Sequence, residues 1–189
     1  MNETKELPPE WLETERLYLR PFAWTDAETV LKIASDRDTT RYLCYWAHPG
    51  VTPEMDVKRF LGAAVEGWSK TPVRCREYAL VRKEDGAVIG DGSIEYVDET
   101  TAEIGWILLP EYRHQGYVHE MAQRLIAYGR QEMRATHIIA HCDARNAPSY
   151  HVMQKLGMTL EQVVPEGRPL KDGIRGDEMT WGLRYEKED

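Results

Sequence analysis

The order of apolar and polar positions predicts one strand and two helices in the first third of the chain. Leu17 and Leu19 alternate with polar residues in ERLYLRPF, which indicates a half-buried strand that ends at Pro21. The next segment, WTDAETVLKIASD, has apolar residues at helical spacing, and Thr25 stands where an N-cap would, three residues before a glutamate. A second helix is predicted from Pro53 to Trp68.

The segment between these helices, TTRYLCYWAHPG, is rich in aromatic residues and shows no regular spacing. It fits two interpretations: a loop beside a binding surface, or a loop that its aromatic side chains hold against the core. Both interpretations stay open at this point.

Residues 76 to 110 are the most strand-like part of the chain. The segments EDG and VDETT separate three runs rich in β-branched and aromatic residues, a pattern typical of a three-stranded antiparallel meander. Gly90 and Gly92 interrupt the middle run. They indicate a bulge or a close backbone approach, although glycines that face solvent would give the same pattern.

The second half of the chain alternates helices and strands. After the polar turn of PEYRHQGYVHEM, apolar residues recur at helical spacing: Val118, Met121, Ala122, Leu125, Ile126, Gly129 and Met133. THIIAHCD is typical of a buried strand, and NAPSYHVMQKLGM of a helix that Asn146 caps, Pro148 begins and Gly157 ends. Met158 to Val164 and Glu178 to Tyr185 are two further strands, joined by a polar connection rich in Gly and Pro. The chain therefore predicts a mixed α/β sheet, an antiparallel meander followed by strand, helix, strand, helix.

Composition narrows the class of protein. The 189 residues suit a single domain, 1–189, with about the first ten residues flexible. The segment MNETKELPPEW lacks the pattern of a secretory signal, and no apolar run reaches the roughly 20 residues that span a bilayer. Cys44, Cys75 and Cys142 lie far apart, which argues against a disulfide framework or a zinc ribbon and favours a reducing cytoplasm.

The net charge of −8 disfavours nucleic acid as a partner, because phosphate binding needs a basic face. It mildly favours cationic substrates or partners. A membrane partner is not expected, and a homodimer stays open.

The start of the long helix after Pro110 has the features of an anion site. The first N–H groups of a helix have no partner inside it, and the helix dipole places partial positive charge there. Gly116 would let a ligand approach, and the Arg113 guanidinium suits phosphate. The alternative is a solvated loop in which the arginine pairs with an acidic neighbour and the glycine serves only the turn.

Three segments resemble the GCN5-related N-acetyltransferases (GNAT), and within them the ribosomal-protein-alanine (RimJ/RimL-like) branch. ETERLYLRPFAWTDAE is similar to the start of that branch. AEIGWILLPEYRHQGYVHEM resembles its strand, loop and helix around the Q/R-x-x-G-x-G/A motif, and NAPSYHVMQKLGM resembles its N-x-x-S segment. Two positions depart from the pattern: Val118 replaces the last small residue of the motif, and Met158 replaces a phenylalanine.

The resemblance implies the GNAT acyl-CoA N-acyltransferase fold, acetyl-CoA as co-substrate and no metal. The residues that it implies for cofactor binding are Leu108, Arg113, His114, Gln115, Gly116, Tyr117, Val118 and Asn146. Val118 could crowd the pyrophosphate or lie on the buried face of the helix. For Asn146, helix capping alone would also explain the residue.

Acetyl transfer to an amine needs a base, because an aliphatic ammonium has a pKa near 10. Glu103 shares a strand face with Gly105, which leaves space beside the carboxylate, and the resemblance implies that it is the base. An ordinary cross-strand pair with Lys or Arg is the alternative. Ser149 resembles the residue that assists the leaving thiolate, or it is a capping or surface serine.

Other combinations fail on geometry. His137 and His141 lie about 13 Å apart on a strand, too far to share a metal ion, and Cys142 points away from the face of His141. Trp46 is the candidate substrate-binding residue, since the branch tends to build its acceptor site from this segment.

The sequence thus predicts an N-acetyltransferase that moves an acetyl group directly to a primary amine. The acceptor is a protein N-terminus or a small cationic amine such as a polyamine or an aminoglycoside. A non-catalytic acyl-CoA-binding domain is a third hypothesis.

Overall fold

The computed structural model describes residues 10–43, 50–70, 72, 74–170 and 174–186. Its strands β1 to β8 are Leu12–Glu13, Leu17–Pro21, Cys75–Arg82, Val88–Tyr96, Thr101–Leu108, His137–Asp143, Thr159–Pro169 and Arg175–Arg184. Its helices α1 to α5 are Ala27–Ser35, Arg37–Thr40, Pro53–Ser69, Tyr117–Gln131 and Ala147–Lys155. Short 3-10 turns at Trp24–Asp26 and Pro110–Tyr112 precede α1 and α4.

The eight strands form one mixed sheet in the order β1-β2-β3-β4-β5-β6-β8-β7. Neighbouring strands are antiparallel except β5 and β6, which run parallel. Helix α4 crosses over between these two parallel strands. This architecture confirms the mixed α/β prediction, with the β3-β4-β5 meander followed by helix, strand and helix.

The two sides of the sheet are packed by different helices. On the first side, α4 and α5 bury Met121, Leu125 and Met153 against Ile94, Ile104 and Ile138. On the second side, α1 and α3 form a smaller cluster in which Val30, Leu61 and Ala64 pack with Ala79. The second cluster covers β3 and does not cover the polar side chains in the middle of that side of the sheet.

Local sequence signals located several boundaries well. Helix α3 differs from its predicted range by one residue, and Thr52 caps it by accepting a hydrogen bond from Met55 N at 3.4 Å. Gly90 and Gly92 are buried, so they do not face solvent. A Cβ on Gly92 would lie 2.8 Å from Met121 Sδ, and one on Gly90 would overlap the Ile107 carbonyl. Both glycines therefore serve a close approach, and a register shift opposite Gly90 adds the expected bulge.

Two expectations were wrong, on the cap of α1 and on the extent of the last two strands. Thr25 does not cap α1, because it lies inside a 3-10 turn, and Asp26 accepts from Ala23 N at 2.9 Å instead. The chain after α1 forms the short helix α2, which Asp36 caps and which includes the first two residues of the predicted loop TTRYLCYWAHPG, whereas residues 44–49 of that loop lie outside the described residues. Strands β7 and β8 extend well into the predicted polar connection. Their long antiparallel pairing contains register shifts, and Gly and Pro are tolerated in a strand at such irregularities.

Candidate active site

The parallel strands β5 and β6 separate after a short paired region. Their register joins residues 101–103 to residues 137–139, whereas β5 continues to Leu108 and β6 to Asp143. Within the described residues, the later parts of these two strands have no partner on the sides that face each other. The gap opens at the carboxyl ends of the strands, where α4 and α5 also begin, and such a crevice is where open α/β sheets bind ligands.

The turn before α4 presents a row of unpaired N–H groups. His114 and Gly116 have positive φ angles of 61° and 84°, and α4 starts at Tyr117 without a side-chain cap. The hydrogen bonds of the described residues leave the backbone N–H groups of residues 114 to 118 without an acceptor. Successive N–H groups in such a turn form an anion-binding concavity, to which the helix dipole adds positive potential. The turn therefore fits a pyrophosphate.

Two arginines hold this turn in place. The Arg113 guanidinium donates to Leu108 O at 3.2 Å and to Thr39 Oγ1 at 2.6 Å. It thereby links the turn to β5 and α2, and among the described residues it forms no ion pair with a carboxylate, although its charge lowers the pKa of Asp36. Arg16 donates to Gln115 O at 2.9 Å and to Glu120 at 2.7 Å. Sequence reasoning missed Arg16, because its partners lie about a hundred positions away.

Val118 is half-buried and packs against the main core, which matches the second of its two interpretations. Helical spacing places it on the same side as Ala122, which is fully buried.

Glu103 lies on the second side of the sheet, at the point where β5 and β6 separate. Its register partners are Glu95 on β4 and Ile139 on β6, so the expected alternative of a cross-strand Lys or Arg does not occur. The His141 Nε2 atom lies 3.7 Å from Glu103 Oε2, within ion-pair distance when the imidazole is protonated. The side chain of Glu103 is 29% exposed.

Burial raises the pKa of Glu103 to about 7, and the carboxylates of Glu95 and Glu178 act in the same direction, whereas Arg168 opposes them. A carboxylate with this pKa accepts a proton more readily than an ordinary glutamate and is still half-ionised near neutral pH. These are the properties of a general base.

Five carboxylates on this side of the sheet surround Glu103 or lie in line with it: Glu77, Asp91, Glu95, Glu103 itself and Glu178. Asp143, the register partner of Glu178, also lies on this side and pairs with Arg145 at 2.8 Å. Burial and mutual repulsion raise the pKa values of Glu77 and Asp91. Among the described residues, only Glu178 of the five pairs with an arginine, Arg168, at 3.0 Å. The surface beside Glu103 is therefore strongly acidic.

A cavity of about 420 Å³ opens on the same side, between α3 and the start of β3. Its walls are mostly apolar, and its polar residues are Lys70, Arg74, Cys75 and Glu77. Burial and the nearby Glu77 raise the pKa of Cys75, so this thiol stays protonated and is a poor nucleophile. The cavity suits an apolar chain better than chemistry at sulfur.

Helix α5 begins at the same end of the sheet. Asn146 occupies its N-cap position but makes no side-chain cap hydrogen bond, so capping does not explain the residue. Ser149 is half-buried in the first turn, and its hydroxyl makes no hydrogen bond among the described residues. Both polar side chains are thus available to a ligand at the gap.

Two further candidate residues are His141, whose role the sequence did not indicate, and Trp46. His141 was considered only as a metal ligand or as a partner of Cys142, and its position beside Glu103 was missed. Trp46 lies outside the described residues. No group of three or more potential metal ligands occurs in the described residues, and none of their helices is long and apolar enough to cross a membrane.

Comparison with known proteins agrees with this geometry. Residues 16–159 match the family model of the acetyltransferase (GNAT) domain. YnaD, an uncharacterized N-acetyltransferase of Bacillus subtilis (strain 168), is 35% identical over 161 residues, which cover 82% of this chain and 89% of YnaD. A GNAT-family acetyltransferase structure from Bacillus anthracis is 30% identical, with a TM-score of 0.78 over 92% of this chain and 98% of that one.

A more distant structure has the same fold. RimL, a ribosomal alpha-N-protein acetyltransferase solved in complex with coenzyme A, is 16% identical, with a TM-score of 0.78 over 95% of this chain and 100% of that one. At this identity the likeness concerns the fold. The matched family region runs from just before β2 to the first residue of β7, and so contains the gap, the α4 turn and Glu103.

Proposed function

The chain belongs to the GNAT acetyltransferase family and is an N-acetyltransferase, and we propose that it transfers the acetyl group of acetyl-CoA directly to a cationic primary amine. The observation that carries this proposal is the position of Glu103, which lies at the β5–β6 gap and in the middle of the acidic side of the sheet. No covalent enzyme intermediate is needed, since the amine itself is the nucleophile. We place the reaction in the cytoplasm.

The residues at the gap fit acetyl-CoA. The unpaired N–H groups of residues 114 to 118 would hold the pyrophosphate, while Arg113 keeps the turn in shape. The free edge of β5 near Leu108 and the Asn146 amide would contact the pantetheine arm. Acetyl-CoA supplies an activated acyl carbonyl and a thiol leaving group.

Glu103 would remove one proton from the acceptor ammonium, directly or through one water, and so free the lone pair that attacks the carbonyl carbon. The Ser149 hydroxyl would donate a hydrogen bond to the sulfur as the carbon–sulfur bond breaks. The second proton that the nitrogen loses on forming the amide would leave with the thiol. Each of these roles needs only a hydrogen bond and a correct protonation state.

The acidic side of the sheet supports an acceptor with more than one positive charge. Glu77 lines the cavity under α3, whose wall also carries Lys70 and Arg74, and Asp91 lies next to Glu77 on β4, at the far end of the acidic surface from Glu178. A second ammonium group there would relieve the repulsion that raises the pKa values of both carboxyls. A polyamine or an aminoglycoside meets this description. A protein N-terminus is the second candidate, favoured by the likeness of the fold to RimL.

The first test is thiol release from acetyl-CoA with matched acceptors: putrescine against butylamine, an aminoglycoside, and peptides with a free Ala or Ser N-terminus. We expect putrescine to be acetylated with a kcat/KM at least about tenfold above that of butylamine, because only putrescine gains the second ion pair. Equal rates for the two amines would contradict the acidic-acceptor proposal, and turnover of peptides alone would favour the N-terminal acetyltransferase.

The second test concerns the α4 turn and compares two glycines with nearly equal φ angles. Gly116 has a φ of 84° at the turn, and Gly157 has a φ of 81° after α5. Alanine at either position is strained by about 1 kcal/mol. Only Gly116→Ala should reduce the rise in Tm that acetyl-CoA gives, which corresponds to about 2.7 kcal/mol at 100 times Kd in the wild type. An equal rise in both variants would remove the turn from the cofactor site.

A further inference from the structure

Three polar side chains form a line across the sheet at the β5–β6 gap. His141 Nε2 lies 3.7 Å from Glu103 Oε2, and His141 Nδ1 lies 3.1 Å from Thr180 Oγ1. The register explains the line, because His141 is two residues beyond the register partner of Glu103 on β6 and directly opposite Thr180 on β8. The histidine thus bridges the proposed base and a hydroxyl that fixes its ring.

The setting of His141 suits a group that exchanges protons. Its side chain is 24% exposed, so one edge reaches solvent while the ring contacts buried groups. The charged groups that face the pair are Glu95 from β4, Glu178 from β8 and Arg168 from β7. Burial lowers the pKa of His141 and raises that of Glu103 to about 7, so the usual order of the two proton affinities is reversed and an imidazolium formed here gives up its proton readily.

Resting on the function proposed above, we propose that His141 is the proton-accepting and positioning partner of Glu103. The imidazole Nε2 atom lies within ion-pair distance of the Glu103 carboxylate and takes up, through one water, the proton that this carboxylate removes from the acceptor. Thr180 holds the opposite ring nitrogen.

The proton balance is simple. The acceptor ammonium gives one proton to Glu103, which becomes a neutral carboxyl. This carboxyl passes the proton to His141 and returns to the carboxylate, and the imidazolium releases the proton from Nε2 to solvent, since this nitrogen accepts or donates no hydrogen bond among the described residues and is not fully buried. One proton per turnover thus leaves the protein, and Glu103 is ready for the next ammonium.

Another role for His141 is purely structural, as a ring packed between β6 and β8 by Thr180. Titration tests whether the two groups are coupled, because removing either charge then shifts the pKa of the other. The pH dependence of turnover separates the two roles, since a ring that exchanges no proton in the reaction would leave kcat nearly unchanged when it is replaced.

The first experiment follows the histidine rings of the isotopically labelled protein by NMR during a pH titration and needs no acceptor. We expect the pKa of His141 to fall by about half a unit or more in Glu103→Gln, because the imidazolium loses a carboxylate 3.7 Å away while Glu178 remains. His137, on the same strand but paired with Glu161 at 2.9 Å, is the internal control and should not move. A His141 pKa that is unchanged in Glu103→Gln would overturn the proposal.

The second experiment measures kinetics with the acceptor identified by the thiol-release panel. We expect His141→Gln to lower kcat about tenfold or more with little change in the acceptor KM, and to move the rising limb of the pH profile to higher pH. Glu103→Gln combined with His141→Gln should be no slower than Glu103→Gln alone, since the two groups act on one proton. His137→Gln should stay within about twofold of wild type.

Additive losses in the double variant, or an unmoved pH limb in His141→Gln, would overturn the proposal. Thr180→Val gives a second route if His141→Gln does not fold, and it should also lower kcat, by a smaller factor. If no acceptor is turned over while the NMR titrations are coupled, the proposed function fails and the coupled pair stands. The two failures are therefore distinguishable.

Discussion

The two sides of the central sheet are made by the same strands and differ in almost every physical property. On the side of α4 and α5, Ile94 and Ile104 are fully buried in a continuous apolar core. On the other side, at the neighbouring positions Glu95 and Glu103, two carboxylates are register partners, and neither forms an ion pair with a lysine or arginine among the described residues. Strand side chains alternate between the two faces of a sheet. A single step along the strand therefore leads from the apolar core to the surface where carboxylates repel one another.

This difference indicates that one side of the sheet stabilises the fold and the other side carries the reactive groups. The apolar side is stabilised by burial, which does not depend on pH. The acidic side costs stability at neutral pH, because its carboxyls are held partly desolvated and close together. A binding surface for a cation is expected to have such a cost in the absence of its ligand, since the same repulsion is what the ligand relieves.

The largest expected effect is on the apolar side. Ile94→Ala should lower the free energy of unfolding by about 3 to 4 kcal/mol, because Ile94 is fully buried and its loss leaves a cavity. Urea denaturation at pH 5 and pH 8 should give the same loss at both values. Val97→Ala, at a residue that is 54% exposed, is the control and should cost little. A loss that depended on pH would break the contrast between the sides.

The next effect has the opposite sign and depends on pH. The folded pKa of Glu103 is about 7 against an ordinary value of 4.5, so the folded state binds more protons than the unfolded state between these values. Stability is therefore lost as pH rises from about 4.5 through 7. Glu103→Gln should stabilise the protein by about 2 kcal/mol at pH 8, after allowance for partial exposure, and not at all at pH 4.

Urea denaturation of Glu103→Gln and wild type at these two pH values measures the effect. The same variant should be at least about a hundredfold slower in acetyl transfer. A variant that is both slower and less stable at pH 8 would contradict the view that the acidic side trades stability for activity.

A smaller effect should come from the neighbouring carboxylate. Glu95 raises the pKa of Glu103, so Glu95→Gln should move the rising limb of kcat/KM to lower pH, by about one unit or less. The measurement is a pH profile with a saturating supply of acetyl-CoA. An unmoved limb would indicate that Glu95 is screened from Glu103 by solvent.

The smallest effect should come from the cation at the edge of the acidic side. Arg168 lowers the pKa of Glu103, so Arg168→Met should move the same limb to higher pH, by about half a unit. Glu95→Gln and Arg168→Met are a matched pair, because they remove opposite charges and should shift the same pH profile in opposite directions. Shifts in the same direction would show that the variants act through the fold and not through charge.

Much of this could be predicted from the sequence, for reasons that are local. The range of α3 follows from Thr52, Pro53 and the spacing of apolar residues, and the meander follows from alternation and turn residues. The prediction that Thr25 caps α1 was wrong because a 3-10 turn precedes α1, and a capping pattern in the sequence does not distinguish a 3-10 helix from an α-helix. The strands β7 and β8 were predicted too short because their pairing compensates for unfavourable residues.

The candidate site divides in the same way. Glu103 and the turn of residues 113 to 118 were identified by residue type and order, and their roles remain predictions until they are measured. Arg16 and His141 were missed as parts of the site, because their contacts join segments that lie far apart in the chain.

The sequence by itself determined the alternation that places Glu103 opposite the core, the amphipathic α4 and the polar turn before it. These features depend on neighbours within a few residues, and the chain carries that information locally. Only the tertiary structure decided where β5 and β6 separate and which groups surround Glu103. The pKa of a carboxyl depends on burial and on charges brought to it by other strands, and no local pattern records them.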